Sequence, residues 1–130
     1  MNITSKQLRA LKAGKSVTKY AKEGDLVKHC LKRLEQLGAF CWKQNQGGMK
    51  MTGEGPRRFI RFAHVDGISD IIGMYKGRFL AVECKQPGRK PTDKQAAFLD
   101  LIRRNGGMAI VASSVDEMEL AIIGYELGGE

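Results

Sequence analysis

The chain has 130 residues, 22 Lys+Arg against 14 Asp+Glu, and a formal net charge of +8. That length suits one domain of roughly 100–150 residues and excludes a multi-domain machine. Apolar residues make up 42% and charged residues 28%, which excludes wholesale disorder, and no apolar run approaches the roughly 18–20 residues that cross a bilayer.

In chain order, residues 1–18 read as a basic arm. Lys6, Arg9, Lys12 and Lys15 carry no acid among them. Thr4 or Ser5 suits the cap of a short helix that Gly14 ends, and Leu8 and Leu11 are too few to bury it. Residues 19–37 read as the first substantial helix: Tyr20, Leu26, Val27, Cys30, Leu31, Leu34 and Leu37 recur at three- and four-residue steps, and Gly38 stops it. Residues 39–44 look like a strand, with Phe40 and Trp42 expected in the core. The glycine-rich stretch Asn45–Arg58 reads as a loop, followed by a short strand over residues 59–63. Residues 69–75 and 78–85 form two strands about Lys76-Gly77, the spacing of a tight hairpin. Thr92 caps a helix to about Arg104, with Ala96, Ala97, Phe98, Leu101 and Ile102 expected on its buried side. Met108–Ala112 is an apolar strand, and Ser114 with Glu117 opens a last helix through about Ile123. This order predicts an α/β domain, a central mixed sheet flanked by helices.

Charge is unevenly placed. Residues 105–130 hold Asp116, Glu117, Glu119, Glu126 and Glu130 and no Lys or Arg, so all 22 basic side chains lie before them. A polyanion such as nucleic acid suits that field; a solvated basic face is the alternative. Cys30, Cys41 and Cys84 are odd in number, widely spaced and form no CxxC pair. They support neither a zinc site nor a disulfide framework, and with no readable secretory signal they point to a reduced, cytoplasmic setting.

The segment Arg78–Lys85 carries the chemistry. Phe79, Leu80, Ala81 and Val82 are apolar without alternation, which predicts cover on both faces. Glu83 and Lys85 then fall on one face, with Cys84 turned to the other. A carboxylate and an ammonium ending a buried strand are costly to desolvate unless they pair or bind an ion. Counting outward from the turn sets Tyr75 against Arg78 and Asp70 against Glu83, with Cβ atoms about 4.5–5.5 Å apart. Two carboxylates on one rung repel, and a hard divalent cation with oxygen ligands would relieve them.

Ser69-Asp70 followed by Glu83-Cys84-Lys85 resembles the motif of the PD-(D/E)XK nuclease superfamily. With Gly67-Ile68-Ser69-Asp70-Ile71-Ile72-Gly73, Pro87-Gly88, Thr92-Asp93-Lys94-Gln95 and Gly106-Gly107, the chain is similar to the VRR-NUC (virus-type replication-repair nuclease) family over roughly residues 20–120. Ser69 stands where the superfamily has proline, and neither this nor Cys84 removes a carboxylate or the lysine. The resemblance implies a restriction-endonuclease-like fold with an α-β-β-β-α-β core over residues 19–130. It implies a Mg²⁺-dependent endodeoxyribonuclease, with Mn²⁺ able to substitute. Asp70, Glu83 and the Cys84 carbonyl would hold the metal. Glu23 would add an outer carboxylate or serve a second ion. Lys85 would orient or deprotonate the attacking water and steady the developing charge, and Gln95 would position the water or support Lys85. A homodimer acting on branched DNA, such as Holliday junctions or flaps, in viral or bacterial replication, recombination or repair is the family context. A virus-borne member would work in the host cytoplasm.

Other readings stay open beside these. Asp70, Glu83 and Lys85 could form a structural ion cluster. Thr92-x-x-Gln95 is itself a capping box, and Glu23 could lie on a solvated helix face. His64 could touch DNA, Asp66 suits turn chemistry before Gly67, and Asn45 and Gln46 stand near the expected active face. Lys50, Arg57, Arg58, Arg61, Arg89 and Lys90 flank the site and are grouped as phosphate contacts. The rivals to this nuclease are a restriction or transposition endonuclease and a non-catalytic nucleic-acid-binding module on the same fold.

Overall fold

The computed structural model describes residues 22–44, 48–51, 58–61 and 65–128. The chain runs α1 (Glu23–Gln36), β1 (Phe40–Lys43), β2 (Gly48–Met51), β3 (Arg58–Arg61), β4 (Ile71–Tyr75), β5 (Arg78–Cys84), α2 (Asp93–Arg104), β6 (Met108–Ala112) and α3 (Val115–Glu126). The basic arm expected over residues 1–18 lies outside the described residues.

Four strands form one sheet in the order β1-β4-β5-β6. β1, β4 and β5 run antiparallel, and β6 joins β5 in parallel after the α2 crossover. This is the mixed sheet flanked by helices that the element order predicts. The β4–β5 hairpin turns at Lys76-Gly77, both with positive φ (48° and 77°), the geometry that matches strand twist in a two-residue turn. Its register pairs Tyr75 with Arg78 and Ile71 with Val82, so the next rung outward sets Asp70 against Glu83.

Two expectations about β1 and β2 need correction. The glycine-rich stretch, read as loop, contains β2, which pairs antiparallel with β3 in a separate two-stranded ladder. Its Met49-Lys50-Met51 core has a partner strand, and pairing overrides the local preference of the neighbouring glycines for turns. Phe40 and Trp42, expected in the core, are 74% and 44% exposed. Strand alternation sends Cys41 inward instead, where it packs on the main core, and among the described residues no helix covers the opposite face at that edge.

The main core lies between one sheet face and α1 with α3. Leu26, Val27, Cys30 and Leu34 of α1 meet Leu80, Val82 and Cys84 of β5 and Met118 and Ile122 of α3. Arg33 of α1 pairs with the nearly buried Glu119 of α3. The Tyr125 hydroxyl donates to Ala109 C=O (3.0 Å) and accepts from Ala109 N–H (3.1 Å), satisfying backbone groups on edge strand β6.

Among the described residues α2 alone covers the other face. Its buried residue is Leu99, with Phe98 and Ile102 partly buried over Ile72, Ala81 and Ala109. Ala96, Ala97 and Leu101, expected inside, are exposed. The inward stripe is 95/98/99/102, the i, i+3, i+4, i+7 spacing of one helix face. That stripe begins with a polar residue, Gln95, and its position bears directly on the site.

Candidate active site

β5 ends by sending adjacent residues to opposite faces. Cys84 enters the core, where its thiol is held protonated by a hydrogen bond shared with Cys30 and then by burial. Glu83 turns to the α2 face and is 1% exposed, and Lys85 follows on the same side with its side chain largely buried.

Asp70 sits just before β4. Gln44 N–H donates to its carbonyl (2.7 Å), and Cys84 N–H donates to its Oδ2 (2.9 Å). The carboxylate is therefore fixed against the β5 backbone. A strand residue's N–H and C=O point to the same edge, so the Cys84 carbonyl is directed toward the Asp70 side as well. The turn before Asp70 is tied to α2: at Gly67, φ is +71° and an added Cβ would stand 2.2 Å from Lys94 O. Only glycine serves there on both counts, and this approach holds the Asp70 loop against the first turn of α2. Asp66 in the same turn faces Lys94 Nζ at 3.7 Å, both exposed.

Gln95 forms the expected capping box and also reaches Glu83. Its backbone N–H donates to Thr92 Oγ1 (3.2 Å), and its Oε1 accepts from Thr92 N–H (2.8 Å), completing the capping box. With the amide oxygen so occupied, the NH₂ must turn the other way, and Nε2 donates to Glu83 Oε1 at 3.1 Å. Lys85 Nζ lies 3.8 Å from the same oxygen.

The remaining Glu83 oxygen, Oε2, is buried with no hydrogen-bond partner. Burial first, and then the neighbouring Asp70 carboxylate, push the Glu83 carboxyl from 4.5 up to about 8; Lys85 opposes the shift and Glu23 adds slightly to it. Glu23, at the start of α1 and one turn before its first core residues Leu26 and Val27, accepts from Gln86 N–H at 3.4 Å. Ser69, in the proline position of the motif, is buried and its Oγ is also without a partner.

The structure thus brings together Asp70, Glu83, Lys85 and Gln95, with Glu23 at the margin. Among the described residues no group of three or more His, Cys, Asp or Glu side chains is close enough to hold a metal. Two carboxylates and a backbone carbonyl remain, all oxygen donors. That set, with an orphaned buried oxygen and two repelling carboxylates, fits a hard cation that keeps several waters, as Mg²⁺ does.

Arg89 and Lys90 are exposed in the turn after β5, a few residues past Lys85. Lys50 lies in β2 and Arg58 and Arg61 in β3. Arg57, His64, Asn45 and Gln46 lie outside the described residues. Sequence reasoning missed Gln44, which shares its rung and face with Asp70 and accepts at Oε1 from Trp42 Nε1–H (3.0 Å). The alternation Phe40, Trp42, Gln44 was the available signal.

A VRR-NUC domain model matches residues 21–116 of the chain. A solved structure described as a VRR_NUC domain matches with probability 1.00, TM-score 0.55 and 24% identity, over 82% of this chain and 99% of that one. It shares the fold. No curated protein matches. No helix among the described residues is long and apolar enough to cross a membrane.

Proposed function

The chain belongs to the VRR-NUC domain family, a nuclease-type family, and on that premise we propose that it is a Mg²⁺-dependent endonuclease hydrolysing DNA phosphodiesters. The observation that carries the reading is the convergence of Asp70 and Glu83 beside Lys85 and Gln95, with one Glu83 oxygen buried and unpartnered. Ionising both carboxyls out of water is costly in the free protein, and Glu83 therefore keeps its proton up to about pH 8. A bound divalent cation turns that cost into affinity.

Asp70, Glu83 and the Cys84 carbonyl would hold the ion, which supplies Lewis-acid polarisation of a phosphoryl oxygen and a more acidic bound water. The remaining work falls to the chain's own groups. Gln95 holds Glu83 Oε1 in one orientation while its other end is fixed by the capping box. Lys85 is held beside the same carboxylate, where its ammonium orients the attacking water and steadies negative charge developing on the phosphoryl oxygens. Hydrolysis forms one P–O bond to water and breaks one P–O ester bond. Glu23, bound to the Gln86 backbone, serves as an outer carboxylate. Lys50, Arg57, Arg58, Arg61, Arg89 and Lys90 hold the phosphate backbone and set the path of the strand without reading bases.

Recognition by DNA structure, on branched substrates such as junctions or flaps, is part of this proposal and rests on the family resemblance. A homodimer would present two sites to such a branch, consistent with work in replication, recombination or repair. The test is incubation of the purified protein with linear and branched DNA in Mg²⁺ or EDTA, beside Glu83→Ala and Lys85→Ala. Metal-dependent cleavage lost in both variants is the expected result. Binding without cleavage, or cleavage surviving both substitutions, overturns the proposal in favour of a binding module or a contaminant.

A further inference from the structure

The half of the sheet face that no described helix covers continues the candidate active site. On edge strand β1, Phe40 pairs with Met74 and Trp42 with Ile72, and β4 in turn sets Met74 against Phe79. Directly paired residues share a face, so Phe40, Trp42 and Gln44 lie on the face that carries Asp70 and Glu83. α2 covers Ile72, Ala81 and Ala109 on that face. Beyond it Phe40, Trp42, Met74 and Phe79 are all exposed.

We propose that this edge is a nucleobase-stacking subsite for unpaired DNA leading into the active site. Trp42 and Phe40 supply ring faces and Gln44 supplies an amide donor. The proposal rests on the nuclease reading and names its substrate class, a single-stranded stretch beside the cleaved bond.

The geometry favours nucleotides over an apolar partner. The indole N–H already donates to Gln44 Oε1, which pins the ring and leaves its face as what Trp42 has to offer. The same bond leaves Gln44 its NH₂ to give, a donor suited to phosphate or base edges. The two rings stand 5.7 Å apart and tilted by 57°, so neither stacks flat on the other. Same-face residues recur about every 7 Å along a strand, and one such step carries Trp42 to Gln44, whose N–H holds Asp70. The ring faces lead through the Gln44 amide and along the Asp70–Glu83 rung to Lys85, so planar bases stacked there would set their linking phosphate beside the candidate active site. The chain's net charge of +8 favours the same polymer. Duplex bases are already stacked and cannot present their faces, so the subsite selects unpaired strands.

Trp42 is the only tryptophan, so its fluorescence reports this subsite directly. The full chain is titrated in EDTA with a twelve-residue thymidine oligonucleotide, an abasic oligomer of equal length, and a blunt duplex. Quenching by the thymidine oligomer and not by the abasic one is the expected result. Trp42→Ala should weaken the thymidine oligomer about tenfold, with Trp42→Phe restoring most of that, and should leave the blunt duplex little changed. Equal quenching by the abasic oligomer, or unchanged affinity in Trp42→Ala, overturns the subsite. So does emission typical of a buried indole before DNA is added, which would mean that a second copy covers the face if dilution shifts it, or residues 1–21 if not. Cleavage of a single-strand-tailed duplex in Mg²⁺ is scored separately. Cleavage without base-dependent quenching removes the subsite and keeps the nuclease, and quenching without cleavage does the reverse.

Discussion

The two faces of the four-stranded sheet differ in how they are finished. One is closed by α1 and α3, and every β5 side chain it receives from Leu80 to Cys84 is apolar or a protonated thiol at 0% exposure. Among the described residues the other is closed in its middle by α2 alone. It holds the Asp70–Glu83 pair, Lys85 and Gln95 at one end and a row of exposed aromatic and apolar side chains at its β1 edge. Consecutive residues of one strand, Glu83 and Cys84, serve these two purposes. A strand can do this because its side chains alternate: the closed face supplies the stability that lets the open face keep two carboxylates in an unfavourable arrangement.

The sharpest way to break this contrast is to exchange the consequences of substitution on the two faces. Lys85→Ala is expected to lower the cleavage rate by about 10²–10³-fold, the usual cost of losing one preorganised charge-stabilising donor, with little change in the unfolding midpoint. On the closed face, Leu80→Ala or Ile122→Ala, both at 0% exposure, should cost about 2–5 kcal/mol in denaturant unfolding. Cleavage per folded molecule should be retained. A large stability loss in Lys85→Ala would mean that the polar cluster is structural.

Much of this was legible in the sequence, for identifiable reasons. The Lys76-Gly77 turn fixed the hairpin register, and the register alone placed Asp70 against Glu83. Thr92 and Gln95 announced a capping box, and the box in turn dictates which way the Gln95 amide points. What the sequence obscured depends on tertiary cover. Whether Phe40 and Trp42 are inside depends on what covers β1, where no described helix lies, and strand alternation cannot report that. The role of β2 depends on its partner β3, not on its own glycine-flanked sequence. Leu99 was passed over because the apolar residues of α2 are too many to mark one stripe, and only packing selected 95/98/99/102.

The strained pair also makes a pH prediction. The Glu83 carboxyl is raised from 4.5 to about 8 by burial and by Asp70. A raised acid binds its proton more tightly in the folded chain, so its favourable effect is complete below pH 4.5 and is lost as pH rises through about 8. Melting in EDTA should therefore show a midpoint that declines between those values, and Glu83→Gln should flatten the decline. Mg²⁺ should raise the midpoint more at pH 8 than at pH 6, because the ion competes with a proton for the same oxygens. A midpoint in EDTA that climbs over this window would contradict the raised carboxyl.

Gln95 separates the two faces at finer scale, because one side chain joins helix stability to the site. Gln95→Ala loses both the Thr92 acceptor and the Glu83 donor. It should cost about 1 kcal/mol of stability, the scale of one capping feature, together with part of the activity. Gln95→Glu keeps an acceptor for Thr92 N–H but sets a third carboxylate against Glu83, so stability at low pH should be nearly preserved while cleavage falls further than in the alanine variant.

The smallest expected effect lies at the β1 edge. Phe40→Ser removes a large aromatic side chain, yet the residue is 74% exposed, so little apolar surface returns to water on unfolding. Its stability should stay within about 0.5 kcal/mol of the parent. On the same strand Cys41 packs against the main core, so Cys41→Ser should cost measurably more, although it is the smaller change in volume. Denaturant unfolding of the two variants side by side settles whether alternation along β1 divides a packed face from an open one. Equal losses would mean that Phe40 is covered in solution, and the distinction between the two faces would fail at this edge.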